Sequence, residues 1–225
     1  MADPVTRESL ATKEGRKRAW RGLMLADHGV LRLIYDNTHW IDDQLARTYQ
    51  PSPGKLAKFA KRGVKTVVNL RGESDTGFFR LEEEACEKLG LELISFKVYS
   101  RDAPSKEVLY GAQELFARIQ YPAIMHCKSG ADRTGLMGTL YKFLHKGEPM
   151  EAAMEQLSFR KYGHVRAGKT GVIDYAFEKF IAWRDETGGD FWTWVEEVYD
   201  PKAVKAEYLG SWWGNLLTEK ILRRE

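Results

Sequence analysis

The chain has 225 residues, of which 43% are hydrophobic and 12% aromatic, with a formal net charge of +3. That is enough to bury a core without disulfides or metals, and it excludes a mainly disordered chain. No run approaches the roughly 18 apolar residues that span a bilayer, and Gly22 to Tyr35, the nearest, is interrupted by Asp27, His28 and Arg32.

Two cysteines cannot form a disulfide scaffold, and Met1 to Thr12 lack the basic-then-apolar order of a secretory signal. A reduced, cytoplasmic setting is therefore expected. The mild basic charge does not call for nucleic acid. Its local concentrations, Arg16–Lys17–Arg18–Arg21 and Arg160–Lys161–His164–Arg166–Lys169, suit either a solvated face or an anionic substrate.

In chain order, residues 1–21 read as a loose arm or surface helix, and Val30 to Tyr49 carries no clear periodicity. Gln50-Pro51-Ser52-Pro53-Gly54 is a break. A helix is expected over Lys55–Lys61, stopped by Gly63, and Val64–Leu70 (VKTVVNL) reads as a buried, β-branched strand. Leu81–Leu89 reads as a helix closed by Gly90, and Leu91–Val98 as a second strand. Pro104 is expected to open a helix, with Val108, Ala112, Leu115, Phe116 and Ile119 on its apolar face. Ala123–His126 is a third strand, and helical spacing resumes at Leu136, Leu140, Phe143 and Leu144. Two more helices are expected near 149–159 and 171–185. This alternation predicts an α/β fold with a mostly parallel central sheet flanked by helices, extra helices at the C-terminus, and ligands beyond the carboxyl ends of the strands. The expected division is an arm over 1–25, a catalytic domain over 26–185 and a Trp-rich helical extension over 186–225.

The third strand runs into His126-Cys127-Lys128-Ser129-Gly130-Ala131-Asp132-Arg133-Thr134-Gly135, directly before a helix. Backbone N–H groups of such a loop, together with the helix dipole, suit a tetrahedral dianion. Lys128, Ser129, Gly130, Ala131, Asp132 and Arg133 would bind phosphate, with Gly130 allowing a tight loop and Arg133 clamping two oxygens through its planar fork. The same positive field favours a Cys127 thiolate, a nucleophile in place. The bland alternative is an inert, buried cysteine in a strand-loop-helix corner.

HCxxGxxRTG between a strand and a helix resembles the loop of the cysteine-dependent protein tyrosine and dual-specificity phosphatases, of bacterial type. Arg47–Pro51 (RTYQP), Val67–Glu73 (VVNLRGE) and Pro104 fit more loosely, and the resemblance covers roughly residues 40–182. Low-molecular-weight phosphatases carry Cys-x5-Arg near the N-terminus, and rhodanese-type phosphatases lack the Gly and Thr pattern. The resemblance implies a cysteinyl-phosphate intermediate on Cys127, held by Arg133 and the loop amides, with His126 orienting the loop, Thr134 stabilising the leaving thiolate, and no metal or other cofactor. It implies a carboxylic acid for the leaving oxygen: Asp102, in the loop before a helix, or Asp132, placed as in myotubularin-type phosphatases. Asp102 could instead cap the helix, and Asp132 could instead brace the loop.

Lys128, as in tensin-type lipid phosphatases, and Asp132, with Arg160, His164 and Lys169 as tentative substrate contacts, favour a phospholipid or inositol-type head group. A phosphoprotein (protein tyrosine or dual-specificity activity) is the second reading, and an inactive phosphate-binding module the third. Cys86, on a helix beside Ala85 and Leu89, reads as core packing, with a redox partnership to Cys127 as the alternative. Five of the seven tryptophans lie from Trp183 onward, and Leu209, Trp213, Leu216, Leu217 and Ile221 keep helical spacing. The tail reads first as helices packed on the domain and second as a peripheral membrane contact.

Overall fold

The computed structural model describes residues 5–222, and side chains throughout that range except 31, 33 and 212–222. Five strands run in the order β1 (His39–Trp40), β2 (Leu45–Tyr49), β3 (Thr66–Asn69), β4 (Glu92–Ser95) and β5 (Ala123–Cys127). The helices are α1 (Arg7–Leu10), α2 (Lys13–Arg21), α3 (Pro53–Lys61), α4 (Gly77–Leu89), α5 (Lys106–Arg118), α6 (Asp132–Leu140), α7 (Met150–Ala153), α8 (Phe159–Tyr162), α9 (Val172–Thr187), α10 (Phe191–Glu197) and α11 (Pro201–Leu222). The chain divides into two compact units: 1–98 with 118–134, and 99–117 with 135–225.

The first unit holds the sheet, ordered β1-β2-β5-β3-β4. It is parallel except for the antiparallel β1–β2 pair, so the expected α/β class with a mostly parallel sheet is what the chain adopts. The central strands β2, β3 and β5 are buried along their whole length, as strands covered on both faces are. Ala46, Val67 and Ile124 pack with Leu56 and Phe59 of α3 and with Ala85 and Cys86 of α4. Truncating Phe59 to Ala would cost about 3–5 kcal/mol on such a surface. Ser52 caps α3 by accepting from the Lys55 amide, which moves its start ahead of the expected Lys55 to Pro53.

Helix α4 begins four residues before the expected Leu81, and Gly77 at its start lets it approach α2: a Cβ there would sit 2.5 Å from the Ala19 Cα. The N-terminal residues are therefore docked, with Leu10, Ala19 and Leu23 buried against Leu81. The unassigned 30–49 stretch contains β1 and β2. A two-residue strand and a strand carrying Arg47 show no alternation to read.

The second unit is helical. Phe180, Phe191, Trp194 and Tyr199 form an aromatic cluster with ring centroids 4.5–6.0 Å apart. Trp192 stacks on Tyr110 at 4.7 Å. These two tryptophans serve packing, whereas Trp212, Trp213, Leu216, Leu217 and Ile221 lie outside the described side chains. No helix among the described residues is long and apolar enough to cross a membrane. The helix expected over 149–159 is broken: α7 passes through a 3-10 turn (Met154–Leu157), and Ser158, extended at ψ 126°, caps a new helix by accepting from the Lys161 amide. Pro104 does not open α5 either, since Ser105 accepts from the Val108 amide and the helix starts at Lys106.

Candidate active site

Parallel pairing aligns the carboxyl ends of β2, β5 and β3. Tyr49 lies beside Cys127, and Asn69 beside His126. The loop 128–131 leaves the sheet there and enters α6 at Asp132. Gly130 has φ +74°, and a Cβ would lie 2.9 Å from the backbone of Thr48 and Tyr49. Only glycine lets the loop turn this close to β2.

Each of the four loop carbonyls is held from the strand side. The Gln50 amide donates to Lys128 O (3.4 Å), and Asn37 Nδ2 to Ser129 O (3.0 Å). Arg47 Nη2 donates to Gly130 O (3.0 Å) and Ala131 O (2.8 Å). A trans peptide carries its C=O and N–H on opposite sides. Fixing the carbonyls of 128–131 inward thus turns the amides of 129–132 outward, into an anion nest at a helix N-terminus. One of them, Gly130 N, donates to Cys127 Sγ at 3.2 Å. Cys127 is 2% exposed. Lys128, Asp132 and Arg133 are half-buried, and Ser129 is exposed.

Behind Cys127, His126 Nε2 lies 2.6 Å from Glu82 Oε1, both fully buried, although neither atom is aligned for a hydrogen bond. Gln50 Nε2 donates to the other oxygen of Glu82 (3.1 Å) and accepts through Oε1 from Arg71 (2.8 Å). Arg71 forks onto Asp27, which also receives Arg32. A chain of buried and half-buried polar groups therefore runs from the N-terminal helices to His126, the residue before Cys127. Thr134 Oγ1 accepts from Arg47 (3.2 Å) and donates to Ala131 O (3.4 Å).

Asn37 and Glu82 carry no signal in the sequence, and Arg47 and Gln50 stand out there only as members of the RTYQP segment, without a role. Cys86 sits in the sheet-side core with its thiol pushed up to about 12, by burial first and by Glu82 second. It packs there among apolar side chains, as the first reading of it expects.

In the second unit, Asp102 pairs with Lys205 of α11, both partly exposed, and is not the α5 cap. Arg160 and Lys169 are exposed. His164 corrects its expected place at a substrate-facing rim. It is fully buried, with Nε2 2.7 Å from Asp174 Oδ2, because the carboxylate on α9 is available to satisfy it in the interior. Among the described residues no cluster of His, Cys, Asp or Glu could hold a metal ion.

A family profile described as "DSP-PTPase phosphatase fused to NAD+ Kinase" matches residues 35–174, more than half of the chain. The chain belongs to this family. The dual specificity protein phosphatase TpbA of Pseudomonas aeruginosa PAO1 is 26% identical over 128 residues, covering 56% of each protein. TpbA of strain UCBPP-PA14 matches to the same extent. The chain thus spans about half the length of these curated relatives. The crystal structure of P. aeruginosa TpbA superposes with a TM-score of 0.52 at 22% identity, over 68% of this chain and 92% of that one. That likeness concerns the fold: a mixed sheet flanked by helices, here followed by further helices.

Proposed function

We propose that this family member hydrolyses phosphomonoesters through a cysteinyl-phosphate on Cys127, without metal. The observation that carries the reading is the loop in which every carbonyl from Lys128 to Ala131 is tied back while Gly130 N donates to Cys127 Sγ. Donors on an anion stabilise it, and the same nest receives the equatorial oxygens of a phosphoryl group. Sγ attacks phosphorus in line, the P–O bond to the leaving group breaks, and Arg133 spans two oxygens. An acid protonates the leaving oxygen and then, as base, takes a proton from the water that cleaves the S–P bond. Asp102, on the segment before α5, is our first candidate for that acid, and Asp132, the first residue of α6, the second. His126 orients the loop from the end of β5.

For the substrate we take a phospholipid or inositol-type head group first. Lys128 and Asp132 within the loop, and the exposed Arg160 and Lys169, suit a polyanionic, hydroxyl-rich group. The relationship to dual specificity protein phosphatases favours the second reading, a phosphoprotein. A cytoplasmic location, with peripheral contact to a membrane, accompanies the first reading.

The test is metal-free phosphate release from a panel of phosphotyrosine peptide, phosphoinositides, phosphatidylglycerophosphate and inositol polyphosphates, with Cys127→Ser as control. Turnover of one head-group class, lost in Cys127→Ser by about 10⁴-fold or more, is expected. Preference for the peptide moves the substrate to protein. Binding without turnover makes the pocket a phosphate reader. Asp102→Asn is expected to slow a poor-leaving-group substrate by about 10²-fold or more. If it does not, and Asp132→Asn does, the acid is Asp132.

A further inference from the structure

We propose that Arg47 is a positioning residue of the phosphate loop, whose buried guanidinium turns the loop amides toward the anion and sets the Thr134 hydroxyl as a donor. The proposal deepens the reading of Cys127 and Arg133 as a phosphatase site and rests on it.

Arg47 occupies the middle of β2, beside Met125 of β5, and is fully buried. A guanidinium is rarely placed in an apolar sheet without many acceptors, since its desolvation must be offset. Here a single nitrogen, Nη2, serves three: Gly130 O at 3.0 Å, Ala131 O at 2.8 Å and Thr134 Oγ1 at 3.2 Å. The first two are the carbonyls of the peptides whose N–H groups belong to Ala131 and Asp132, the last two amides before Arg133. Rotation of either peptide would point a carbonyl at the phosphate and an N–H away from it. A bound cation on the strand side opposes that rotation.

The third contact acts on a proton. A hydroxyl has one hydrogen and two lone pairs. Because Arg47 occupies an acceptor site on Thr134, the hydroxyl hydrogen must serve as donor, at present to Ala131 O. In the second step the S–P bond breaks and its electron pair returns to Sγ. Water adds to phosphorus and gives its proton to the general base. Thr134 then has a hydrogen available for the sulfur and transfers none. The reach of the Arg47 charge is visible at His39, whose imidazole is held below its ordinary value by burial first and by Arg47 second, with Asp36 opposing.

The experiment compares wild type, Arg47→Met and Arg47→Lys in iodoacetamide alkylation of Cys127 across pH, and in steady-state hydrolysis of p-nitrophenyl phosphate. In Arg47→Met the alkylation profile should move up by about one pH unit, a tenfold loss of rate on its lower limb. The kcat should fall about 10²-fold, as when an oxyanion donor is lost, with KM within about threefold. Arg47→Lys, which keeps the charge and three donors, should recover part of both losses. A folded Arg47→Met with the wild-type alkylation profile and kcat overturns the proposal.

If Arg47→Met does not fold, side-chain guanidinium NMR of the wild type decides. Slowly exchanging Arg47 Nη protons that shift when orthovanadate binds support the role. Exchange as fast as an exposed arginine's, or no response to vanadate, overturns it. A wild type without turnover on any phosphomonoester, yet with an alkylation profile that depends on Arg47, would defeat the phosphatase reading and leave the positioning role standing.

Discussion

Among the described residues, two histidine–carboxylate pairs are buried at nearly the same separation, and only one of them is aligned as a hydrogen bond. His126 and Glu82 lie 2.6 Å apart in the sheet unit, and His164 and Asp174 2.7 Å apart in the helical unit. Both histidines are completely enclosed. His126 is the penultimate residue of the central strand, directly before Cys127, so its setting is passed to the proposed nucleophile. His164 follows the left-handed Gly163 that closes α8, and precedes a loop clasped by Tyr208, whose hydroxyl shares its one hydrogen between Arg166 O (2.9 Å) and Gly168 O (2.7 Å). Each pair sets an imidazole against a carboxylate. What the following backbone does makes one pair part of a site and the other part of a scaffold.

The comparison is sharpest in a pair of neutral replacements. Glu82→Gln and Asp174→Asn should each cost about 1–3 kcal/mol, because a buried partner is left poorly satisfied. Only Glu82→Gln should also lower kcat, about tenfold per folded molecule, with KM little changed. Chemical denaturation followed by kinetics on the folded fraction checks this, and equal losses of kcat in both variants would erase the distinction.

Tyr208→Phe removes one hydroxyl that serves two carbonyls of the 166–168 loop. A stability loss of about 1 kcal/mol is expected, with proteolytic nicking of that loop accelerated. Unchanged nicking would mean that the clasp does not hold the loop.

The smallest effect concerns pH. The folded value of His39 lies below the unfolded 6.5, owing to burial and then Arg47. The unfolded chain therefore takes up the proton first as pH falls. The stability contributed by keeping His39 neutral is complete above pH 6.5 and is lost progressively as pH drops toward the folded value. Melting of His39→Gln against wild type at pH 7.5 and pH 5 should show a shallower pH slope in the variant, by about 2 °C at this chain length.

Much of the sheet unit was legible in the residues. VKTVVNL, the Gly90 stop and the His126–Gly135 loop each carry a local signal that the fold preserves. The residues that brace the loop were less legible. Arg47 and Gln50 lay within RTYQP with no role readable there, and Asn37 and Glu82 reach the loop and His126 only through tertiary packing. His164 stood among basic residues and read as surface. A single sequence does not show that an aspartate ten residues later would fold back to enclose it. The 149–159 helix failed for a local reason, the capping preference of Ser158, which competes with helix continuation.

The most direct test of the central claim is to trap the intermediate. Enzyme turning over a ³²P-labelled phosphomonoester is quenched in acid within milliseconds, digested and mapped. The account predicts label on the peptide carrying Cys127, absent in Cys127→Ser. Phosphate release with no label on Cys127, or label on another residue, would contradict it.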